Sequence, residues 1–153
     1  MRLQRDLREF VELLNCSGVR YVIVGGYAVA YHGHPRFTGD IDLFVESSAD
    51  NADRILAALN QFGFGDLELT AQDFQHPDNI VQLGMPPNRI DLLTSLSGVS
   101  FEQVWQARLK TELDGLPVCF ISKDLLLQNK RASGRAKDLA DVVELGGEPR
   151  ESE

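Results

Sequence analysis

Apolar residues in the first half of the chain recur at two spacings, which predict helices alternating with strands. Spacings of three and four residues place side chains on one helix face and predict amphipathic helices over residues 2–16 and 49–62. Runs rich in β-branched and aromatic residues predict strands over residues 20–24 and 41–45. A short helix is expected over residues 27–32, directly after two glycines that end the first strand.

The second half of the chain predicts mainly strands, followed by two helices. Expected strands cover residues 66–69, 79–85, 89–93, 109–113 and 116–121, and expected helices cover residues 101–107, 122–131 and 135–145. Asp114-Gly115 is a two-residue hairpin signal, and Pro86-Pro87-Asn88 marks the turn of another hairpin. The order of elements predicts one α+β (α/β-like) domain over residues 1–146, with a mixed β-sheet flanked by helices, and a polar tail over residues 147–153.

Length and charge restrict the functional classes. The chain has 153 residues, enough for one sizeable core, and a formal net charge of −8. An acidic protein is a poor non-specific binder of nucleic acid, because phosphate contacts require clustered lysine and arginine. Cys16 and Cys119 lie far apart, and neither a signal peptide nor a membrane-spanning run is recognised, so we expect a cytoplasmic protein with reduced thiols.

Gly25 and Gly26 stand between the first predicted strand and the short helix. Glycines allow the backbone to approach a ligand closely, and a helix N-terminus offers N–H groups that suit a phosphate. The same pattern occurs in ordinary tight turns, so the two glycines alone do not decide between these interpretations.

Asp40 and Asp42 belong to the strand segment GDIDLF, where alternation places both carboxylates on one face. Ile41 and Leu43 then point to the opposite face, into the core. Two like charges on an apolar strand carry an energetic cost, which a divalent cation would remove. The alternative is that both side chains are merely solvated at a strand end.

Asp91 interrupts another apolar strand, RIDLL, and makes the catalytic interpretation the stronger one. Antiparallel or mixed pairing of this strand would bring Asp91 beside Asp40 and Asp42. Three carboxylates at one place can hold two magnesium ions, as in-line phosphoryl transfer uses them. In that arrangement Asp91 is also the candidate to accept the proton of the attacking hydroxyl.

These residues resemble the nucleotidyltransferase superfamily with the DNA polymerase beta-like catalytic fold. The resemblance is carried by Gly25-Gly26, by Arg36-x-Thr38-x-Asp40-x-Asp42 and by the third acid, Asp91, and it covers roughly residues 20–145. Within the superfamily the chain is similar to small proteins of the abortive-infection toxin and minimal nucleotidyltransferase type. Many relatives have Gly-Ser where this chain has Gly-Gly, which leaves backbone N–H groups to contact phosphate.

The resemblance implies an NTP held by the Gly-Gly turn, two Mg²⁺ ions on the three aspartates, and transfer of a nucleoside monophosphate to a hydroxyl. Arg36 and Thr38 precede the acids, and the resemblance implies that both are nucleotide-binding residues. Arg36 has two alternative roles that remain open, a bidentate contact with the triphosphate or a salt bridge that orients Asp40.

The resemblance also draws attention to the basic cluster near the end of the chain. Lys130 and Lys137 are expected to reach the nucleotide, with Asp138 and Asp141 positioning these bases rather than binding metal. A solvated helix face, on which Lys137 and Asp141 form an (i, i+4) pair, is the alternative.

The acceptor of the nucleotidyl group is not identified by the sequence. An RNA 3′ end, a protein side chain and a small molecule all remain open, as do a cognate toxin or antitoxin partner and an oligomer. The main alternative function is a non-catalytic protein that binds nucleotide or acts as one half of a toxin–antitoxin pair.

Overall fold

The computed structural model describes residues 3–33, 39–63, 68–85 and 88–147. Within these ranges the helices are α1 (Arg5–Cys16), α2 (Gly25–Tyr31), α3 (Ala49–Phe62), α4 (Phe101–Gln106), α5 (Lys123–Ser133) and α6 (Ala136–Glu144), with a 3₁₀ helix at Ala71–Phe74. The strands are β1 (Tyr21–Val24), β2 (Ile41–Val45), β3 (Ile80–Leu83), β4 (Ile90–Leu93), β5 (Leu109–Leu113) and β6 (Leu116–Phe120).

A six-stranded mixed sheet forms the centre of the fold, in the order β3-β4-β2-β1-β6-β5. β1 pairs antiparallel with β2 and parallel with β6, and β2 pairs parallel with β4. The two predicted hairpins, β3–β4 and β5–β6, are antiparallel and form the two sides of the sheet. The predicted α+β fold with a mixed sheet flanked by helices is therefore confirmed.

The central strands are buried on both faces. Ile41 and Leu43 of β2 are completely buried on one face. On the other face Phe44 of β2 packs edge-on against Phe101 of α4, with the ring centroids 5.2 Å apart. Because alternate residues of a strand share a face, α4 borders the face that also carries Asp42.

The segment that follows β4 is tied to α5. The side-chain amide of Gln128 donates to the carbonyl of Gly98 at 2.7 Å, and that of Asn129 donates to the carbonyl of Ser97 at 3.0 Å. Gly98, at φ +76°, lies so close to α5 that an added Cβ would be 2.4 Å from the Cβ of Ala132. These contacts hold the C-terminal helices beside the strand that carries Asp91.

Three details differ from the sequence-based expectations. The strand predicted over residues 66–69 is wrong where it can be examined, because residues 68–70 have no regular structure and residues 66–67 lie outside the described ranges. The 3₁₀ helix was not expected. Helix α2 begins at Gly25, so the two glycines form its first turn instead of preceding it.

Asn51, in the first turn of α3, joins three elements through its buried side chain. Its Oδ1 accepts a hydrogen bond from the backbone N–H of Arg20 at 2.7 Å. Its Nδ2 donates to the carbonyls of Arg20 and Glu46 at 3.0 and 2.8 Å. The side chain therefore fixes α3 to the beginning of β1 and the end of β2.

We expect Asn51→Ala to lower the free energy of unfolding by about 2–3 kcal/mol, because the lost amide leaves partly buried backbone groups without these partners. Urea denaturation checks this. Asn60→Ala, at an exposed position of the same helix, is the matched control and should cost much less. Equal losses in the two variants would contradict the structural role of Asn51.

Candidate active site

Asp42 and Asp91 are direct neighbours across the parallel pairing of β2 and β4, where the register aligns one with the other. Asp40 lies just before β2, and its Oδ1 accepts a hydrogen bond from the backbone N–H of Arg89 at 2.9 Å. Asp91 is buried, with 7% of its surface exposed. The structure thus brings the three predicted acids together, by parallel pairing within a mixed sheet.

Gly25 closes the site from the side of β1. It has a φ of +68°, and a Cβ added there would lie 2.1 Å from Oδ2 of Asp42. A residue with a side chain would therefore displace the Asp42 carboxylate. This close approach explains the glycine at the start of α2.

Asp42 is held in surroundings that disfavour its negative charge. Burial raises the pKa of Asp42 from 3.8 to about 7, and the charge of Asp91, a hydrogen bond with Asp91 and the charge of Asp40 act in the same direction. The positive charge of Arg89 acts against this rise. In the metal-free protein Asp42 therefore gains and loses its proton near neutral pH.

Among the described residues, Arg89 is the cation that contacts the acids directly. Its Nε donates to Oδ1 of Asp91 at 2.7 Å and its Nη2 donates to Oδ2 of Asp91 at 3.0 Å, a bidentate pair. The same Nη2 lies 3.6 Å from Oδ2 of Asp40. These contacts, led by the hydrogen bonds to Asp91, raise the pKa of Arg89.

The chemistry of the three carboxylates suits magnesium, but their side chains are not arranged around a metal site in this structure. Carboxylate oxygens are the ligands that Mg²⁺ prefers, and the crowded Asp42 and Asp91 would gain from a divalent cation. Among the described residues, however, no group of three or more His, Cys, Asp and Glu side chains is arranged to hold a metal ion. Arg89 holds both oxygens of Asp91. The residues fit the metal once that guanidinium moves away.

A cleft of about 760 Å³ joins the acids to the C-terminal helices. Gly25 and Gly26 line it together with Asp40, Asp42 and Asp91. The lining also includes polar and apolar residues of β3, β4 and the segment after β4, namely Ile80, Gln82, Leu93, Ser95 and Ser97. The wall formed by α5, α6 and the segment between them contributes the positive charges of Lys130, Arg135 and Lys137. The lining of the cleft therefore contains an acidic part and a basic part.

Lys130 lies in that wall but is neutralised by two carboxylates. Its Nζ is 3.0 Å from Oδ1 of Asp138 and 3.0 Å from Oδ2 of Asp141, and only 8% of its side chain is exposed. Burial alone would raise the pKa of Asp138, but hydrogen bonds from Ser133, Arg135 and Lys130 lower it to about 2. The alternative of a solvated helix face therefore does not hold at Lys130, which is part of a buried ion-pair network.

Arg135 and Lys137 are the exposed cations of the wall. Arg135 donates from Nε to Oδ2 of Asp138 at 2.8 Å while 74% of its side chain remains exposed. Lys137, in the first turn of α6, is also exposed. Both side chains can therefore meet a ligand in the cleft without leaving a buried ion pair.

The family matched over residues 2–146 is described as a nucleotidyltransferase of unknown function (DUF6036). The chain belongs to this family. The resemblance inferred from the aspartates and the glycine pair is confirmed at the level of the nucleotidyltransferases. No protein of curated function matches the sequence.

A solved structure supports the fold of this nucleotidyltransferase family member. It is the crystal structure of an antigenic nucleotidyltransferase-like protein from Paracoccidioides brasiliensis, with a TM-score of 0.54 and 20% sequence identity. The match covers 92% of this chain and 74% of that chain. At this identity the similarity shows the fold alone. In the part of the chain that is described, no helix is long and apolar enough to cross a membrane.

Several residues of the nucleotidyltransferase cleft were missed or left unassigned by sequence reasoning. Arg36 and Thr38 lie outside the described residues, so their predicted roles stay predictions. Arg89 was read only as part of an apolar strand, although a cation two residues before Asp91 shares its face and was a usable signal. The sequence predicts no role for Arg135, because it does not reveal that Lys130 is buried and Arg135 exposed.

The protonation of Asp42 has a consequence for stability. Between pH 3.8 and about 7 the folded protein binds a proton that the unfolded chain does not, so the free energy of unfolding falls as the pH rises through this range. Asp42→Asn cannot ionise and should escape this loss. We expect the metal-free variant to melt roughly 3–8 °C above the parent at pH 8, and much less above it at pH 5.

Calorimetry in EDTA at the two pH values measures this difference directly. Asp53→Asn, at an exposed position of α3, removes the same charge away from the cleft and should show no such pH-dependent gain. A melting-temperature difference for Asp42→Asn that is the same at pH 5 and pH 8 would show that Asp42 is not protonated near neutrality.

Two costs of replacing Gly25, the steric contact with Asp42 and the strain of its left-handed backbone, can be measured separately. Gly18 has nearly the same φ, +71°, but an added Cβ there meets nothing within 4 Å. We expect Gly18→Ala to cost about 1–2 kcal/mol of unfolding free energy for the left-handed backbone. Gly25→Ala should cost about 1–3 kcal/mol more, because its methyl group overpacks the site. Urea denaturation of both variants tests this, and equal losses would rule out a tight contact at Asp42.

Proposed function

We propose that the chain is a magnesium-dependent nucleotidyltransferase that moves a nucleoside monophosphate from an NTP to a hydroxyl group of an acceptor. The observation that carries the proposal is the register of two parallel strands, which aligns Asp42 with Asp91 inside a cleft. Asp40 completes a set of three carboxylates. Membership of a nucleotidyltransferase family supports the same reaction class.

The triphosphate is proposed to lie between the acids and the cationic wall. Arg135 and Lys137 are exposed in the cleft, so their charges are available to phosphate oxygens. The backbone at Gly25 and Gly26 offers a close approach on the other side. Lys130 acts indirectly in this proposal, because its ion pair with Asp138 supports the carboxylate that holds Arg135.

The proposed transfer is a single in-line displacement at phosphorus. The acceptor oxygen attacks the α-phosphorus, a new P–O bond forms, the bond to the oxygen that bridges to the β-phosphate breaks, and pyrophosphate leaves. Asp91 is the proposed acceptor of the hydroxyl proton. Magnesium, held by Asp40, Asp42 and Asp91, would supply activation of the hydroxyl and neutralisation of the leaving pyrophosphate.

The acceptor is left as three chemical classes: an RNA 3′ end, a protein hydroxyl or a small molecule. The part of the cleft lining that includes Ile80, Gln82 and Leu93 offers mixed polar and apolar contacts, which do not select one class of acceptor. The formal net charge of −8 disfavours non-specific RNA binding but not a specific RNA end.

A second candidate function is nucleotide binding without transfer, as a sensor or as one half of a toxin–antitoxin pair. The bidentate contact between Arg89 and Asp91 favours it, because a carboxylate engaged in this way is not free to accept a proton. Tight binding of Mg-NTP with no transfer of label to any acceptor would distinguish this function from the first.

The decisive experiment incubates the protein with each α-labelled NTP, MgCl₂, and separate RNA, protein and small-molecule fractions of a lysate. We expect label in one fraction with the parent protein. Asp42→Asn should reduce the rate by about 100-fold or more, since even residues that only support metal ligands cost 10–100-fold when removed.

Asp53→Asn is the control with the same change of charge at an exposed position of α3, and it should transfer label like the parent protein. Transfer by Asp42→Asn at the parental rate would refute the role of the three acids. EDTA should abolish the transfer, and persistence of the activity in EDTA would refute its dependence on magnesium.

A further inference from the structure

Arg89 occupies the position from which a cation can neutralise two of the three carboxylates at once. It lies two residues before Asp91, so both side chains project from the same face of the sheet. Its Nη2 is 3.0 Å from an oxygen of Asp91 and 3.6 Å from an oxygen of Asp40. A metal ion shared by these two aspartates would have to enter the same space.

We propose that Arg89 is an internal counter-ion of the metal-free protein, and that Mg²⁺ binds by displacing its guanidinium from Asp91 and Asp40. This inference rests on the proposed function, because it concerns the same carboxylates. It adds a competition that family membership does not describe. In this role Arg89 is a positioning residue, which sets the conformation of Asp91 and the concentration of magnesium at which the site fills.

Electrostatics makes joint occupancy of the site unfavourable. Magnesium binds carboxylate oxygens at about 2.0–2.1 Å. Such an ion on Asp91 would stand within a few ångströms of a guanidinium that already holds both oxygens of that carboxylate. Two cations at this distance repel each other strongly in a partly buried site. Release of the guanidinium removes this repulsion.

The structure leaves room for the guanidinium of Arg89 to move away from the acids. Arg89 lines the open cleft, and 28% of its side chain is exposed. Its backbone contact with Asp40, from the N–H group to Oδ1, does not depend on the side-chain position. The long side chain can therefore swing into the cleft while the strand keeps its register.

The competing possibility is that Arg89 stays in place and orients Asp91 as a partner behind the metal ligand. Supporting residues of this kind raise metal affinity, and their loss weakens binding about 10–100-fold. The two possibilities therefore predict opposite effects of removing the guanidinium. Displacement predicts tighter magnesium binding, and support predicts weaker binding.

The test is calorimetric titration of the nucleotide-free protein with MgCl₂ alone at constant ionic strength. We expect Arg89→Gln to bind Mg²⁺ at least ~10-fold more tightly than the parent protein, because no internal cation has to leave. Arg89→Lys, which keeps the charge but loses the bidentate fork, should fall between the two.

Arg20→Gln is the matched control. Arg20 forms an ion pair with Glu46 at 3.1 Å, and its loss changes the net charge equally but outside the acid cluster. We expect its magnesium affinity to stay within about 2-fold of the parent value, because salt at physiological concentration screens the long-range effects of exposed charges.

A spectroscopic readout follows the guanidinium itself. In metal-free protein the Nε–H of Arg89 is hydrogen-bonded to Asp91, so its NMR signal should be protected from exchange with water. Addition of MgCl₂ to the parent protein should abolish this protection. A retained signal at saturating Mg²⁺ would overturn the displacement.

The outcomes separate the inference from the proposed function. Equal or weaker magnesium binding by Arg89→Gln overturns the counter-ion role and leaves the metal site intact. Binding of Mg²⁺ by neither protein overturns both proposals. Tighter binding by Arg89→Gln, with Arg20→Gln unchanged, supports the competition even if no acceptor has been found.

Discussion

The parallel pairing of β2 with β4 is the constraint on which the site depends. On one face of these strands, Leu43 and Leu92 are completely buried and stand opposite each other in register. A slip by one residue would turn these leucines outward and bring the acids into the core. The hydrophobic face therefore holds Asp42 and Asp91 side by side on the other face, despite the repulsion between their charges.

The repulsion between the two neighbouring carboxylates is reduced at each of them by a positive charge or a proton. Burial and the adjacent carboxylates favour a proton on Asp42, while Arg89 binds Asp91 with both arms of its guanidinium. A proton and a guanidinium are the charges that a protein can supply itself. A divalent cation offers more charge in a small volume. A site built in this way is therefore suited to exchanging its proton and its guanidinium contact for such a cation.

The wall of the cleft formed by α5 and α6 balances its charges in a different way. Lys130 is buried between Asp138 and Asp141, so its charge organises the wall and is not available at the surface. Asp138 in turn holds one side of Arg135, whose side chain remains largely exposed. The buried ion pairs thereby orient an exposed cation toward the cleft. The segment after β4, anchored on α5 through Gly98, connects this wall to the strand that carries Asp91.

Local sequence alone determined the elements whose signals are local. The helix predicted over residues 49–62 coincides with α3, because a capping serine and a regular apolar face define it within one segment. The Asp114-Gly115 hairpin is likewise present between β5 and β6. The mixed α+β class followed from the order of such elements, and the three acids were recognised because each interrupts an otherwise apolar strand.

Only the tertiary structure decided which residues meet and how their charges are balanced. The parallel register of Asp42 with Asp91 joins segments that are far apart in the sequence. The bidentate contact of Arg89 and the burial of Lys130 involve nearer residues, but they depend on how the surrounding elements pack. Of the strand expected over residues 66–69, the two residues that the structure describes, 68 and 69, have no regular structure, because propensity in so short a segment is a weak signal that the tertiary context overrides. Contacts between distant segments depend on the packing of the whole core, which local patterns do not encode.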